Sequence, residues 1–297
     1  MRSPAAHAIT GRGFKNRAMA TRGTLLVGYD VEKTTECAAF LERMADIHEE
    51  MNAPCTVFAL GSCLLAEPDA FEAAAHNPLI DMAQHTWSHI PLKTVVIEDG
   101  DTVEVIRGGS PEQIRDEVTR ASQAIESICG VSCCGITGPW AYYRGLADRP
   151  DVLEILHDTG IRYVRSYGRN EKDFQPVSTA IQPFWYAPQG FPDMLECMVH
   201  GWNDIYLRSK VGWSNLKGFL DQMKADLDHA AERGLVFSWG SHDWSSLRED
   251  PSLSLIRAVL SHARSIGMQV LNYRQFWTRM EALRTRAGNP RSARALA

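Results

Sequence analysis

TLLVGYDVE, residues 24–32, is a run of apolar and β-prone residues that ends in two acids. Such a run suits a buried strand. Side chains two apart in a strand point the same way, so Asp30 and Glu32 emerge side by side at its C-terminal end. The next eighteen residues, 34–51, change period: Phe40, Leu41, Met44, Ile47 and Met51 share one helical face, with Thr34 or Thr35 placed to cap it.

The alternation continues outward from there. CTVFALG (55–61) predicts a second strand and LIDMAQH (79–85) a third, which runs into HTWSH. SPEQIRDEVTRASQAIESICG (110–130) opens with Ser110 and Pro111 and stops at Gly130, the signature of a capped helix. A helix over 150–160 and a strand over 161–166 follow. Further on come a helix over 214–233, the strand LVFSWGS (235–241) leading into His242, a helix over 251–267 and a last strand over 268–273. Strands alternating with helices imply parallel βαβ units, and so many in succession favour one closed α/β barrel over two domains. Residues 168–213 are the least regular, with Trp185, Tyr186, Trp202 and Trp213 among Pro and Gly, as in substrate-facing loops. His200 lies in this segment and is a candidate to reach a site.

The chain has 297 residues, 44% of them hydrophobic, and a formal net charge of -5. That balance argues against nucleic acid or an anionic membrane as a partner. No stretch approaches the eighteen apolar residues of a membrane span. Residues 1–22 are basic and free of acids but lack the apolar core of a secretory signal, and read as a tail outside the fold. Residues 283–297 are a second basic tail, leaving 23–282 as the single folded domain. The seven cysteines are irregularly spaced. Without an export signal they read as reduced thiols in a cytoplasmic protein, and CGVSCC (129–134) lacks the paired spacing of a metal cluster.

Chemistry enters with His85 and His89. Imidazoles four apart on one helical turn can share an ion, although one such pair is weak evidence. Asp30, Glu32, His85 and His242 all stand at the C-terminal ends of predicted strands, the rim where parallel barrels build their sites. Two histidines and a carboxylate leave open positions on a metal. Such a centre polarises a carbonyl and activates water, a second carboxylate takes a proton, and a distant histidine serves the leaving group. The fitting reaction is hydrolysis of an amide or ester.

These pieces, in order, resemble the polysaccharide deacetylase family, also called the NodB-homology or carbohydrate esterase four family. The resemblance spans about residues 24–280. It rests on YDVE, CTVFALG, the H-[ST]-x-x-H stretch HTWSH, the proline-bearing GPWA (138–141) and WGSHDW (239–244). It implies a distorted (β/α) barrel of about seven units and one divalent transition metal, commonly Zn²⁺. It also implies Asp30 as general base, His242 as general acid, and Glu32, His85 and His89 as metal ligands. The D-x-E spacing of Asp30 and Glu32 resembles a subset of the family. Thr137 stands where the family has an arginine that orients the catalytic aspartate, and Arg144 is the nearby substitute. Trp202-Asn203-Asp204 is the candidate for the fourth motif. Pro139, Trp140 and Trp202 are the expected substrate contacts.

The function so implied is removal of an acetyl or other small acyl group from an amino sugar or polysaccharide precursor. One alternative is hydrolysis of a small amide or cyclic imide, as in allantoinase-like relatives. An alternative of another class is an inactive carbohydrate-binding barrel. The expected partner is a small-molecule or carbohydrate substrate, and a homo-oligomer is compatible with the sequence.

Overall fold

The structure, a computed structural model, describes residues 22–99 and 102–287. The expected tails over 1–22 and 283–297 therefore lie largely outside the described residues, except that the last helix continues through residue 287.

Eleven strands and ten α-helices follow the chain among the described residues. β1 (Thr24–Val31), α1 (Cys37–Glu50), β2 (Cys55–Ala59), α2 (Gly61–Ala66), α3 (Pro68–Ala75) and β3 (Ile80–Gln84) form the first third. A hairpin of β4 (Val95–Asp99) and β5 (Thr102–Ile106) precedes α4 (Pro111–Cys129), β6 (Gly135–Tyr143), α5 (Pro150–Asp158) and β7 (Tyr163–Arg169). Then come β8 (Phe184–Tyr186), β9 (Phe191–Glu196), α6 (Asp204–Val211), α7 (Leu216–Arg233) and β10 (Val236–His242). α8 (Asp243–Glu249), α9 (Ser254–Ser265), β11 (Gln269–Leu271) and α10 (Tyr273–Ala287) complete the chain.

The main sheet runs β10-β1-β2-β3-β6-β7-β9-β8, with β11 branching onto β1. All pairings along it are parallel except β8 with β9. Helices cover its outer face, and the apolar core lies between them and the strands. The result is a distorted (β/α) barrel. Among the described residues no ladder joins β9 to β10; the gap is bridged where the His200 N–H donates to the Ser238 carbonyl at 2.9 Å. The His200 ring fastens the same seam. Its Nε2 lies 2.7 Å from the Ile181 carbonyl, and its Nδ1 accepts the Ser238 N–H at 2.9 Å.

Local sequence explains the best-formed helix. Ser110 and Gln113 make a reciprocal capping box on α4, and Gly130 ends it in the left-handed conformation, where a Cβ is unfavourable. The expected threonine cap on α1 is not used; Glu36 occupies that position without a side-chain bond. His85 to His89 is a loop and not a helical turn. Thr86 and His89 both have positive φ, at 63° and 69°, which no helix allows.

Candidate active site

The C-terminal ends of the parallel strands surround a cavity of about 460 Å³. Asp30 and His242 are register partners across β1 and β10, so strand pairing alone brings them together. Glu32 follows one residue beyond β1. Its backbone N–H and that of Lys33 donate to the Asp243 carboxylate at 3.2 and 3.0 Å, which fixes the chain as it leaves the strand. Burial pushes the Asp243 carboxyl up to about 6, against the backbone N–H groups it accepts.

The Nε2 atoms of His85 and His89 lie 3.0 and 3.1 Å from the same oxygen of Glu32, Oε1. The His85 Nδ1 sits 3.0 Å from the Thr137 carbonyl, an acceptor that requires the proton on Nδ1. A neutral His85 therefore turns a bare nitrogen lone pair toward a carboxylate oxygen. A cation placed among the three groups removes that conflict, so the donor set fits a metal ion. Trp244 Nε1 donates to the other Glu32 oxygen, Oε2, at 3.2 Å and orients the carboxylate. Burial opposes the Glu32 charge, but the His242 charge and the hydrogen bonds of His85 and His89 outweigh it and hold the carboxyl well below its usual range.

The loop that carries the two histidines is held from α4. Glu117, buried, accepts the N–H of Trp87 at 2.9 Å, the N–H of Ser88 at 2.7 Å and the Ser88 hydroxyl at 2.8 Å. Three charge-assisted bonds on one carboxylate sustain a backbone with two left-handed residues.

The arginine that orients Asp30 is neither at position 137 nor at 144. It is Arg165, on β7, whose Nη2 donates to Asp30 Oδ1. Arg165 is 1% exposed and its guanidinium lies 4.4 Å from the Phe58 ring centre. Thr137 is its register partner on β6 and accepts from Arg165 Nε at 3.0 Å. A small hydroxyl at 137 thus supports an arginine arriving from the neighbouring strand. Arg144 is exposed and does not line the cavity. Gly28 and Gly240, themselves register partners, leave the room that Arg165 fills: a Cβ would stand 3.0 and 2.7 Å from Nη1. Burial works against the Arg165 charge, and Asp30 beside it more than restores it.

Asp204, the first residue of α6, is wholly buried behind His242. It bonds His242 Nδ1 at 2.7 Å and accepts the His242 N–H at 2.9 Å. Ser241 donates to it at 3.1 Å, and the Ser245 hydroxyl also does so. Burial alone would lower the His242 pKa, but Asp204 and Glu32 raise it to about 10. The free His242 Nε2 points into the cavity, 3.9 Å from Asp30 Oδ2 and 3.7 Å from Glu32 Oε1.

Trp140 lines the cavity, 43% exposed, with its ring 6.3 Å from that of His89. It sits on a bulge of β6, where the register jumps between Thr137 and Tyr142. Trp140 and Ala141 there have φ of 70° and 51°, and Arg169 Nε donates to both of their carbonyls, at 3.1 and 3.0 Å. Pro139 is buried in the bulge and Trp202 packs on the core beneath Lys210, so neither lines the cavity. His200 does not reach it either, because the barrel seam occupies both its nitrogens.

The residues that sequence reading missed are Arg165, Glu117, Asp243 and Trp244. The last two stand directly after His242 in WGSHDW, and Gly28 and Gly240 marked the room for Arg165.

A polysaccharide deacetylase family model matches residues 21–164. No curated protein matches the chain by sequence. Among solved structures, the fold is similar to one from Mycobacterium smegmatis named as a polysaccharide deacetylase. That match has a TM-score of 0.65 and 16% identity, covering 95% of this chain and 96% of the other. It is also similar to Puue allantoinase, with a TM-score of 0.62 and 15% identity over 88% and 91% of the two chains. A third similar structure is a carbohydrate esterase four pseudoenzyme from Bacillus anthracis, with a TM-score of 0.52 and 12% identity over 86% and 65%. At these identities the likeness is one of fold. Residues 21–164 thus match the polysaccharide deacetylase family model, and the chain as a whole shares its distorted-barrel fold with a structure named for that family.

Proposed function

We propose that this protein is a metal-dependent hydrolase that removes an acetyl or other small acyl group from the nitrogen of an amino sugar. The observation that carries the reading is the facing pair Asp30 and His242, Oδ2 to Nε2 at 3.9 Å, beside the convergent Glu32, His85 and His89. A divalent transition metal held by those three residues, zinc in the first instance, would supply Lewis-acid polarisation of the amide carbonyl and a water of lowered pKa.

The remaining steps belong to side chains. Asp30, held by Arg165, accepts a proton from the attacking water. His242 is kept by Asp204 with a proton on Nδ1, and its raised pKa leaves Nε2 protonated as well. It therefore delivers a proton to the departing nitrogen as the C–N bond breaks, giving a carboxylic acid and a free amine. Trp140 forms an apolar wall beside His89 on which a sugar ring or an acyl methyl group can rest.

The cavity volume of about 460 Å³ favours a compact substrate and supports a second reading, hydrolysis of a small amide or cyclic imide. The discriminating experiment loads the purified protein with zinc or cobalt and offers N-acetylated amino sugars and, separately, cyclic imides. Acetate release that Asp30→Asn abolishes while metal stays bound supports the deacetylase. Turnover of imides alone favours the second reading. Bound metal with no turnover of either class would favour the inactive carbohydrate-binding barrel instead.

A further inference from the structure

Glu32 Oε1 faces two sets of ligand atoms. On one side stand the Nε2 atoms of His85 and His89, at 3.0 and 3.1 Å. On the other, His242 Nε2 lies 3.7 Å away, and Asp30 completes a second group. The ligand atoms of Asp30, Glu32 and His242 all lie within 4.8 Å of one another. Tetrahedral coordination with metal–ligand bonds of ~2.0–2.2 Å sets neighbouring donors about 3.3–3.6 Å apart. The distances from His242 Nε2, 3.7 Å to Glu32 and 3.9 Å to Asp30 Oδ2, are only slightly longer. The second group is also prepared for coordination. His242 is 9% exposed, its Nδ1 is bonded to the buried Asp204 carboxylate at 2.7 Å, and its Nε2 makes no hydrogen bond among the described residues. A carboxylate behind the imidazole is the usual support of a metal-ligating histidine. Arg165 takes Asp30 Oδ1 and leaves Oδ2 toward His242. Trp244 holds Glu32 Oε2 at 3.2 Å and leaves Oε1 to both sets.

We propose that Asp30, Glu32 and His242 form a second, weaker position for a divalent transition metal, filled when the ion is in excess, and that an ion there stops catalysis. The proposal rests on the hydrolase reading of the same site. The position is the weaker of the two for reasons of charge and ligand type. It offers one imidazole where the first offers two, and the Arg165 guanidinium already lies against Asp30. An ion held on the first set draws further charge from the shared Glu32 oxygen. Inhibition follows from the atoms the second ion takes. It binds Asp30 Oδ2, the oxygen that receives the proton of the attacking water. It displaces to solvent the His242 Nε2 proton that the departing nitrogen needs. Base and acid are lost together, while Glu32, His85 and His89 still hold the first ion.

The test uses the full chain, stripped of metal and titrated with zinc. Bound zinc is counted by equilibrium dialysis with elemental mass spectrometry, and crystals soaked in excess zinc are measured at its absorption edge. The expected result is about one ion per chain at low free zinc, rising to about two in excess, with separate anomalous peaks at the two ligand sets. His242→Ala and Asp30→Asn should each lose the second ion and keep the first. Should His242→Ala fail to fold, Asp30→Asn carries the comparison. Turnover of an N-acetylated amino sugar by the wild type should appear with the first ion and fall on the order of 10²-fold as the second binds. One ion per chain at every zinc concentration, with turnover undiminished in excess, overturns the proposal and leaves the hydrolase reading standing. A second ion retained by both variants also overturns it. No bound ion and no turnover would overturn both.

Discussion

Arg165 on β7 donates from Nη2 to Oδ1 of Asp30 on β1, across a barrel interior that two glycines keep open. The guanidinium comes from the strand next to the one that bears Thr137, and Thr137 turns its hydroxyl to hold it. Asp30 is thereby fixed with one oxygen bound and the other toward His242.

Arg165→Gln should leave the metal ligands in place and misplace the base. The expected outcome is unchanged metal content by elemental mass spectrometry with kcat lowered on the order of 10²-fold. Arg165→Lys should rescue little, because a lysine cannot reach Asp30 and Thr137 with one planar fork. Loss of metal in both variants would show that Arg165 holds the whole site and not Asp30 alone.

Gly240→Ala tests the space. A Cβ there would stand 2.7 Å from Arg165 Nη1. Urea denaturation should show a loss of about 1–3 kcal/mol, the usual cost of overpacking a dense interior. Arg165→Met made in the same background should recover part of it; no recovery would place the strain elsewhere.

Glu117→Ala removes the acceptor for two backbone N–H groups of the histidine loop. The loop then loses the partner that sustains its left-handed residues. Zinc affinity, measured by competition with a chelator, should fall about 10–100-fold. An unaltered affinity would mean that the histidines hold their positions without α4.

Asp204→Asn keeps an acceptor beside His242 Nδ1 and removes the charge. The wild-type His242 has a folded-state pKa of about 10 against an ordinary 6.5. A histidine raised in this way contributes stability that is fully present below 6.5 and is lost as pH rises through 10. In metal-free protein, the stability gap between wild type and Asp204→Asn should therefore narrow between those values. The alkaline limb of kcat/KM should also move toward neutrality in the variant. A gap that stays constant with pH would assign Asp204 a packing role only.

Much of this was legible in one dimension. The strand-helix alternation, the capped α4 and the parallel sheet follow from hydrophobic period and turn residues, which act over a few neighbours. The gathering of Asp30, Glu32, His85 and His242 at one rim followed too, because parallel strands end on the same side of a barrel.

What the sequence by itself determined is the set of local periods and the order of chemical groups along the chain. Tertiary structure decided which groups met. Arg165 serves Asp30 from 135 residues away, and Glu117 shapes a loop 29 to 30 residues before it. The histidine pair converges through left-handed backbone and not through helical spacing. These outcomes depend on strand register, on the volume two glycines leave empty, and on which buried donors find an acceptor. Those are properties of packed surfaces, and no local pattern in the chain encodes them.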